Sequence, residues 1–289
     1  MKKLLILSGK GGTGKTTVAS ALIYLLKSKS YADCDVDAPN LHITVPPQGK
    51  PDKRDFYGLP KASINYTKCT QCGLCKDNCN FGAISLKEKI IMDPYACEGC
   101  GVCAYVCPVQ AITMVEAVNG EVLVYNGSSN FATAKLKMGA GASGKLVTEV
   151  KKSMKDVGEE EISIIDGSPG IGCPVIASIS GVDMVLIVTE PTVSGISDLQ
   201  RILKTAKHFN VKHAVCINKY DINEENTERI KKFCQENQTE IAGLIPFDHK
   251  ASVAINSRKS IAQIDCIAGR ELQSILKNTL EIMNKSEKN

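Results

Sequence analysis

Two sets of residues in this 289-residue chain have the types and spacing to do chemistry. The first is the run Gly9-Lys10-Gly11-Gly12-Thr13-Gly14-Lys15-Thr16. Glycines let backbone N–H groups turn inward around phosphate oxygens. A helix that opens directly after the loop adds its positive end to the same anion. Lys15 then reaches the β- and γ-phosphates of a nucleotide, and the Thr16 hydroxyl ligates Mg²⁺. Gly11, Gly12, Thr13, Gly14, Lys15, Thr16 and Thr17 are the candidate nucleotide-binding residues.

The second set is cysteine. Cys69, Cys72, Cys75 and Cys79 follow C-x2-C-x2-C-x3-C, and Cys97, Cys100, Cys103 and Cys107 repeat the pattern, with Pro108 after the last. This is the bacterial ferredoxin spacing given twice. Three close thiolates grip one face of a [4Fe–4S] cube, and the fourth cysteine of each run ligates the other cube. One cluster is expected on Cys69, Cys72, Cys75 and Cys107, the other on Cys79, Cys97, Cys100 and Cys103. Zinc sites usually pair two C-x2-C hooks about 12–20 residues apart, a pattern that two identical four-cysteine runs fit poorly. Asn80 stands where proline usually follows the fourth cysteine, so a slightly altered first turn is expected. Of the remaining cysteines, Cys34, Cys216, Cys234 and Cys266 read as small buried hydrophobes.

These residues need elements to position them. Lys3 to Ser8 is a short apolar run ending in glycines, which predicts a buried parallel strand. Apolar spacing from Thr16 to Lys27 predicts a helix, so the loop has the strand–turn–helix context it requires. A second strand is predicted over 31–35. Further strands are predicted at 121–125, 132–137, 162–165, 184–188, 214–217 and 241–245, and helices at 195–209, 224–236 and 269–284. That alternation predicts an α/β fold with a mostly parallel sheet covered by helices on both faces. The Pro- and Gly-containing stretch 46–58 reads as a linker. The cysteine segment interrupts the alternation and reads as an inserted small α+β domain, 60–113, within a nucleotide-binding P-loop domain of 1–59 and 114–289. In Gly139 to Gly144, Ser143 is expected to cap a helix that begins near Lys145.

Lys10 and the residues around it resemble the deviant loop of the MinD/ParA group of P-loop ATPases, which includes the nitrogenase iron protein. The resemblance implies ATP/ADP with Mg²⁺ as ligands, and an ATP-bound homodimer in which Lys10 reaches the facing subunit's nucleotide. Asp33-Cys34-Asp35-Val36-Asp37-Ala38-Pro39-Asn40 looks like the family's first switch, with Asp35 orienting the attacking water; Asp33 or Asp37 takes that role if the match is displaced. Ile164-Ile165-Asp166-Gly167-Ser168-Pro169-Gly170 resembles the second switch, with Asp166 on the Mg²⁺ side. Asn218-Lys219 resembles the base-recognition site. The run Asn218-Lys219-Tyr220-Asp221 also fits a guanine reader, but the wider resemblance favours adenine, with Pro246 and Asp248 along the base. Cys173, seven residues after Asp166, matches the separation of a cluster ligand in the nitrogenase iron protein. No second bridging cysteine accompanies it, so a structural role is favoured.

Composition narrows the partners. A net charge of +4, 5% aromatic residues and no Trp give no basic, aromatic-interleaved surface for nucleic acid. No apolar run approaches the ~18 residues of a membrane span. The apolar start stops at Leu7, short of a signal peptide's core, so a cytoplasmic protein is expected. The stripe Leu272, Ile275, Leu276 and Met283 reads as a helix packed on the sheet, with a polar tail from Asn284 to Asn289 rather than a membrane anchor. Three functions follow in order of preference. The first is an ATPase whose dimerisation gates electron transfer to or from a partner protein. The second is an ATP-dependent carrier that delivers clusters to an apo-protein. The third is a MinD-like positioning ATPase with structural clusters.

Overall fold

The computed structural model describes residues 1–156, 158 and 161–285. Its strands are β1 (Lys2–Leu7), β2 (Ser30–Asp33), β3 (Asp52–Tyr57), β4 (Lys61–Ile64), β5 (Ile84–Leu86), β6 (Ile90–Met92), β7 (Ile112–Val115), β8 (Val118–Asn126), β9 (Asn130–Leu136), β10 (Ile162–Asp166), β11 (Met184–Thr189), β12 (Lys212–Asn218) and β13 (Glu240–Ile245). Its helices are α1 (Lys15–Leu26), α2 (Leu41–Thr44), α3 (Leu74–Asp77), α4 (Val102–Tyr105), α5 (Ser143–Lys152), α6 (Cys173–Ile179), α7 (Val193–His208), α8 (Glu224–Glu236), α9 (Lys250–Asn256) and α10 (Ile267–Asn284).

Nine strands form one sheet in the order β13-β12-β11-β1-β10-β2-β9-β8-β3. From β13 to β9 all neighbours are parallel, and β8 and β3 complete the sheet antiparallel. Side chains alternate faces along each strand, so the sheet carries a core on both sides. Leu5, Leu7, Ile165 and Val185 pack on one face against Leu146 of α5, Ile179 of α6 and Leu203 of α7. Leu4, Ile6, Ile164 and Leu186 pack on the other against Leu22 of α1 and Leu272 of α10. The stripe on α10 is therefore sheet-facing, while residues 286–289 of the polar tail lie outside the described residues. Among the described residues, no helix is long and apolar enough to cross a membrane.

Three local expectations change. Residues 52–57 are not linker but β3, an edge strand paired to β8. Its sequence is Asp-Lys-Arg-Asp-Phe-Tyr and only Phe56 is buried, so charge hides the strand; exposed charge is also what keeps an edge from pairing with another chain. Strand β2 stops at Asp33, which leaves Asp35 in the following loop. Ser143 is the first residue of α5 rather than its cap: Ala142, with φ 71, occupies the cap position, and no side chain caps the helix.

Between β3 and β8 the chain leaves the main sheet and builds two small antiparallel pairs, β4 with β7 and β5 with β6. Helices α3 and α4 carry Cys75 and Cys103 into a small core with Ile84, Ile90 and Ile112.

Strand β9, where the sheet passes from parallel to antiparallel, is anchored by aromatics. Phe131 on β9 is buried and stacks on Tyr31 at 5.2 Å and Tyr125 at 5.7 Å between ring centroids. Phe131→Ala is expected to lower the unfolding free energy by about 3–5 kcal/mol, seen as a lower urea midpoint at unchanged slope. A loss below about 1 kcal/mol would mean the stack does not hold this region.

Candidate nucleotide and metal sites

The loop after β1 turns into α1 at Gly14, which has φ 90 and supplies no side-chain cap. Only glycine fits there, because a Cβ would lie 2.3 Å from Asn218 Nδ2 as well as needing the left-handed region. The first N–H groups of α1 are thus left open to an anion. Lys15 is 6% exposed and its Nζ donates to Asp166 Oδ1 at 2.5 Å, with Asp166 fully buried. Burial alone would favour loss of the lysine proton, but the Asp166 carboxylate more than offsets it and holds the ammonium above its usual pKa. The second oxygen, Asp166 Oδ2, is buried without a partner, as is Thr13 Oγ1.

A cavity of ≈ 640 Å³ opens beside Lys15. It is lined by Lys10, Gly11, Gly12, Gly14 and Lys15 to Thr17, by Asp35, Asp37 and Asn40 from the loop after β2, and by Ser168 and Pro169 after β10. All of these lie at the C-terminal ends of parallel strands, where open α/β sheets bind ligands. The three aspartates of the first loop divide by environment. Asp33 is buried and accepts backbone N–H bonds from Asp35 (3.0 Å), Asn40 (2.8 Å) and Leu41 (2.9 Å), so it shapes the loop. Burial, then the nearby Asp166 charge, push its carboxyl up to about 7. Asp35 and Asp37 face the cavity instead. Burial raises the Asp35 carboxyl too, opposed by the attraction of Lys15.

An adjoining cavity of ≈ 300 Å³ shares Gly12, Gly14 and Thr17, and brings together Asn218, Pro246, Phe247 and Asp248. Their polar groups are largely engaged within the chain. Asn218 Nδ2 donates to Thr13 O at 2.7 Å, and its Oδ1 accepts from the Lys219 N–H at 3.0 Å. Asp248 accepts from the N–H groups of Lys250 (2.9 Å) and Ala268 (3.3 Å), tethering the starts of α9 and α10. Asp221 accepts from Phe247 N at 2.6 Å, so in this conformation it holds the 246–248 segment. Together these residues shape a partly apolar slot beside the phosphate loop.

Lys10 lies at the cavity rim, where Nζ pairs with Glu190 Oε1 at 2.7 Å and donates to Ser194 Oγ at 3.0 Å. Lys219 Nζ holds the other oxygen, Glu190 Oε2, at 3.2 Å. Burial opposes ionisation of Glu190, but hydrogen bonds from the two lysines outweigh it and hold its carboxyl below the usual range. Glu190 was not singled out from sequence; its signal was an acidic residue directly after an apolar strand, in Thr189-Glu190-Pro191-Thr192.

Between β3 and β8, Cys79 meets Cys97, Cys100 and Cys103 around one apolar-walled cavity that Phe81 and Met114 also line. Cys69 and Cys107 pack on the same small core as Cys75. Backbone N–H groups point at two of these sulfurs, from Gln71 to Cys69 Sγ at 3.4 Å and from Ala111 to Cys107 Sγ at 3.2 Å. Burial raises the Cys75 thiol, and the neighbouring Cys69 and Cys72 raise it further; burial and Cys97 do the same to Cys103. Among the described residues no three or more His, Cys, Asp or Glu side chains are arranged to hold a single metal ion. Outside this segment, Cys34, Cys216, Cys234 and Cys266 are buried, whereas Cys173, at the start of α6, is exposed.

Lys15→Met is expected to destabilise the protein by about 3–5 kcal/mol, because it leaves Asp166 charged, buried and alone. Lys15→Met with Asp166→Asn is expected to recover most of that stability without recovering nucleotide binding. Urea unfolding of the two variants, with fluorescent-nucleotide titration, checks both halves; equal stability of Lys15→Met and the parent would show that the pair contributes nothing.

Residues 4–261 match the family described as the CobQ/CobB/MinD/ParA nucleotide binding domain. An uncharacterised protein of Methanocaldococcus jannaschii, MJ0578, is 39% identical over 230 residues, covering 78% of this chain and 80% of that one. The Pyrococcus furiosus cell division ATPase MinD is 15% identical with a TM-score of 0.57, covering 97% of this chain and 99% of its own. The septum site-determining protein MinD of Pyrococcus horikoshii, solved with Mg-ADP, is 15% identical with a TM-score of 0.56 and 99% coverage of both chains. These two likenesses are of fold. The family match over most of the chain, the parallel sheet and the phosphate loop together place it: the chain belongs to the CobQ/CobB/MinD/ParA family of nucleotide-binding domains.

Proposed function

We infer that this chain binds and hydrolyses Mg·ATP as a nucleotide-dependent homodimer, and that dimer closure gates electron transfer between two [4Fe–4S] clusters in its small domain and a partner protein. The observation that carries the cluster half is the meeting of Cys79 with Cys97, Cys100 and Cys103 around one cavity, across a gap of many residues in sequence. Cys79, Cys97, Cys100 and Cys103 would hold one cube, and Cys69, Cys72, Cys75 and Cys107 the other. A cube of four irons is larger than one ion, so its thiolates need not converge as those of a mononuclear site do. Thiols raised by burial and by one another are costly as free anions, and bound iron relieves that cost. When bound, such clusters supply one-electron chemistry. Free cysteines in this number suit a reducing cytoplasm.

The nucleotide half rests on the phosphate loop and on the orphan oxygen of Asp166. Asp166 Oδ2 and the Thr16 hydroxyl are the groups that would face Mg²⁺ and its water shell. Lys15 would lie along the β- and γ-phosphates, and Lys10 would leave Glu190 to reach the partner subunit's nucleotide. Asp35, which lines the cavity whereas Asp33 is held by three backbone N–H groups, would orient the attacking water. The adenine would lie in the slot of Asn218, Pro246 and Asp248. A MinD-like positioning ATPase is the second reading, favoured by Cys75 and Cys103 being buried in the small domain's core, as structural staples would be. The same burial disfavours a carrier that must release its clusters.

Anaerobic reconstitution is expected to load about eight irons and eight sulfides per chain, falling to about four in Cys100→Ala. Fewer than about one iron per chain would remove the cluster half of the reading. Asp35→Asn is expected to lower the rate of phosphate release about 10²-fold or more at saturating ATP, with nucleotide affinity within about threefold of the parent. An unchanged rate would take the role from Asp35. Electron paramagnetic resonance of the reduced protein, free and with each nucleotide, separates the two readings: a nucleotide-dependent cluster spectrum supports gating, and identical spectra favour the staples.

A further inference from the structure

The loop Gly139 to Ala142 has no part in the nucleotide site, yet three parts of the molecule meet on it. Gly139 has φ +67, and a Cβ there would lie 2.7 Å from the carbonyl oxygen of Tyr95. A Cβ on Gly141 would lie 3.1 Å from Glu98 Oε2. Lys61, on β4, donates from Nζ to the Cys97 carbonyl at 2.5 Å and to the Gly139 carbonyl at 3.2 Å. The loop is therefore seated on the segment that opens the second cysteine run.

After the loop comes α5, which is fastened to both ends of α6. At one end Gly144 approaches so closely that a Cβ would sit 3.1 Å from the Cys173 carbonyl oxygen. At the other, Lys151 Nζ donates to the carbonyls of Ala177 (3.0 Å), Ser178 (2.7 Å) and Ser180 (2.5 Å), the open acceptors at the C-terminus of α6. Helix α6 in turn follows directly on residues 167–172. Ser168 and Pro169 of that loop line the phosphate cavity, and its Gly170 N–H donates to Ser8 O at 2.9 Å, one residue before the phosphate loop. Two helices clasped at both ends resist tilting past each other, so a displacement at one end of the pair is passed on by close packing. The first cysteine run is seated differently, with Gln71 Oε1 accepting from the Ile90 N–H at 2.7 Å.

We propose that α5 and α6 form one rigid lever that carries occupancy of the phosphate cavity through the Gly139–Ala142 loop to the second cysteine run and not to the first. The lever rests on the nucleotide reading above and does not require the clusters to be loaded.

Hydrogen–deuterium exchange of the full chain, with and without a Mg²⁺-bound non-hydrolysable ATP analogue, tests it. Peptides covering 166–180 and 93–101 are expected to change exchange rate together, by about threefold or more, while 69–77 stays constant. Lys61→Met and Lys151→Met each cut one clasp. Both are expected to keep nucleotide affinity within about threefold and the response at 166–172, and to lose the response at 93–101. If Lys151→Met fails to fold, Lys61→Met decides alone. A response at 166–180 with none at 93–101 overturns the lever and leaves the nucleotide reading standing. So does an undiminished response at 93–101 in a folded variant. Failure of the analogue to bind sinks the nucleotide reading and the lever together.

Discussion

The buried pair of Lys15 and Asp166 is the constraint on which the site depends. Each ion loses several kcal/mol of hydration on entering the interior, and only the close opposite charge makes the arrangement tolerable. The pair joins the first residue of α1 to the last of β10, so it fixes the phosphate loop against the neighbouring strand. It satisfies one carboxylate oxygen and leaves the other buried without a partner. A site built with that deficit is complete only when a ligand brings a cation or a donor. Asp35 and Asp37 line the same cavity as the lysine, and carboxyl groups there suit a divalent cation arriving with phosphate.

The segment between β3 and β8 is attached in a way that costs the main sheet little. It leaves after β3 and returns at β8, and these two strands are hydrogen-bonded neighbours. The ends of the insertion are thus already held together, and loop-closure entropy grows only slowly with what lies between. Antiparallel β4 and β7 continue that closeness outward. The cysteine runs then fold back on each other, which brings the end of the first run to the start of the second.

These two regions are not independent bodies strung on a linker. Lys61 and the Gly139–Ala142 loop bind the second cysteine run to α5, and α5 is clasped to the helix that follows the phosphate-facing loop. Glu190 plays a comparable part at the rim, where one carboxylate holds both Lys10 and Lys219 within the subunit. Any use of Lys10 across a dimer must exchange that contact for another.

The sequence alone determined what local chemistry can encode. The glycine-rich turn between an apolar run and a helical pattern placed the phosphate loop, and alternation of strand and helix gave the parallel sheet, because both depend on periods of a few residues. The cysteine spacing named eight candidate ligands. Tertiary structure decided what depends on distant partners. Residues 52–57 became a strand because β8 supplies hydrogen bonds that a charged sequence does not advertise. Asp33 and Asp35, two residues apart, took different roles because one meets three backbone N–H groups and the other a cavity. Asn218 and Asp248 were drawn into bonds with Thr13 and the ends of two helices, and Glu190 and Lys151 acquired importance only from the groups that the fold brings to them. A residue's type sets which bonds it can make, but only the packed chain settles which partners are within reach.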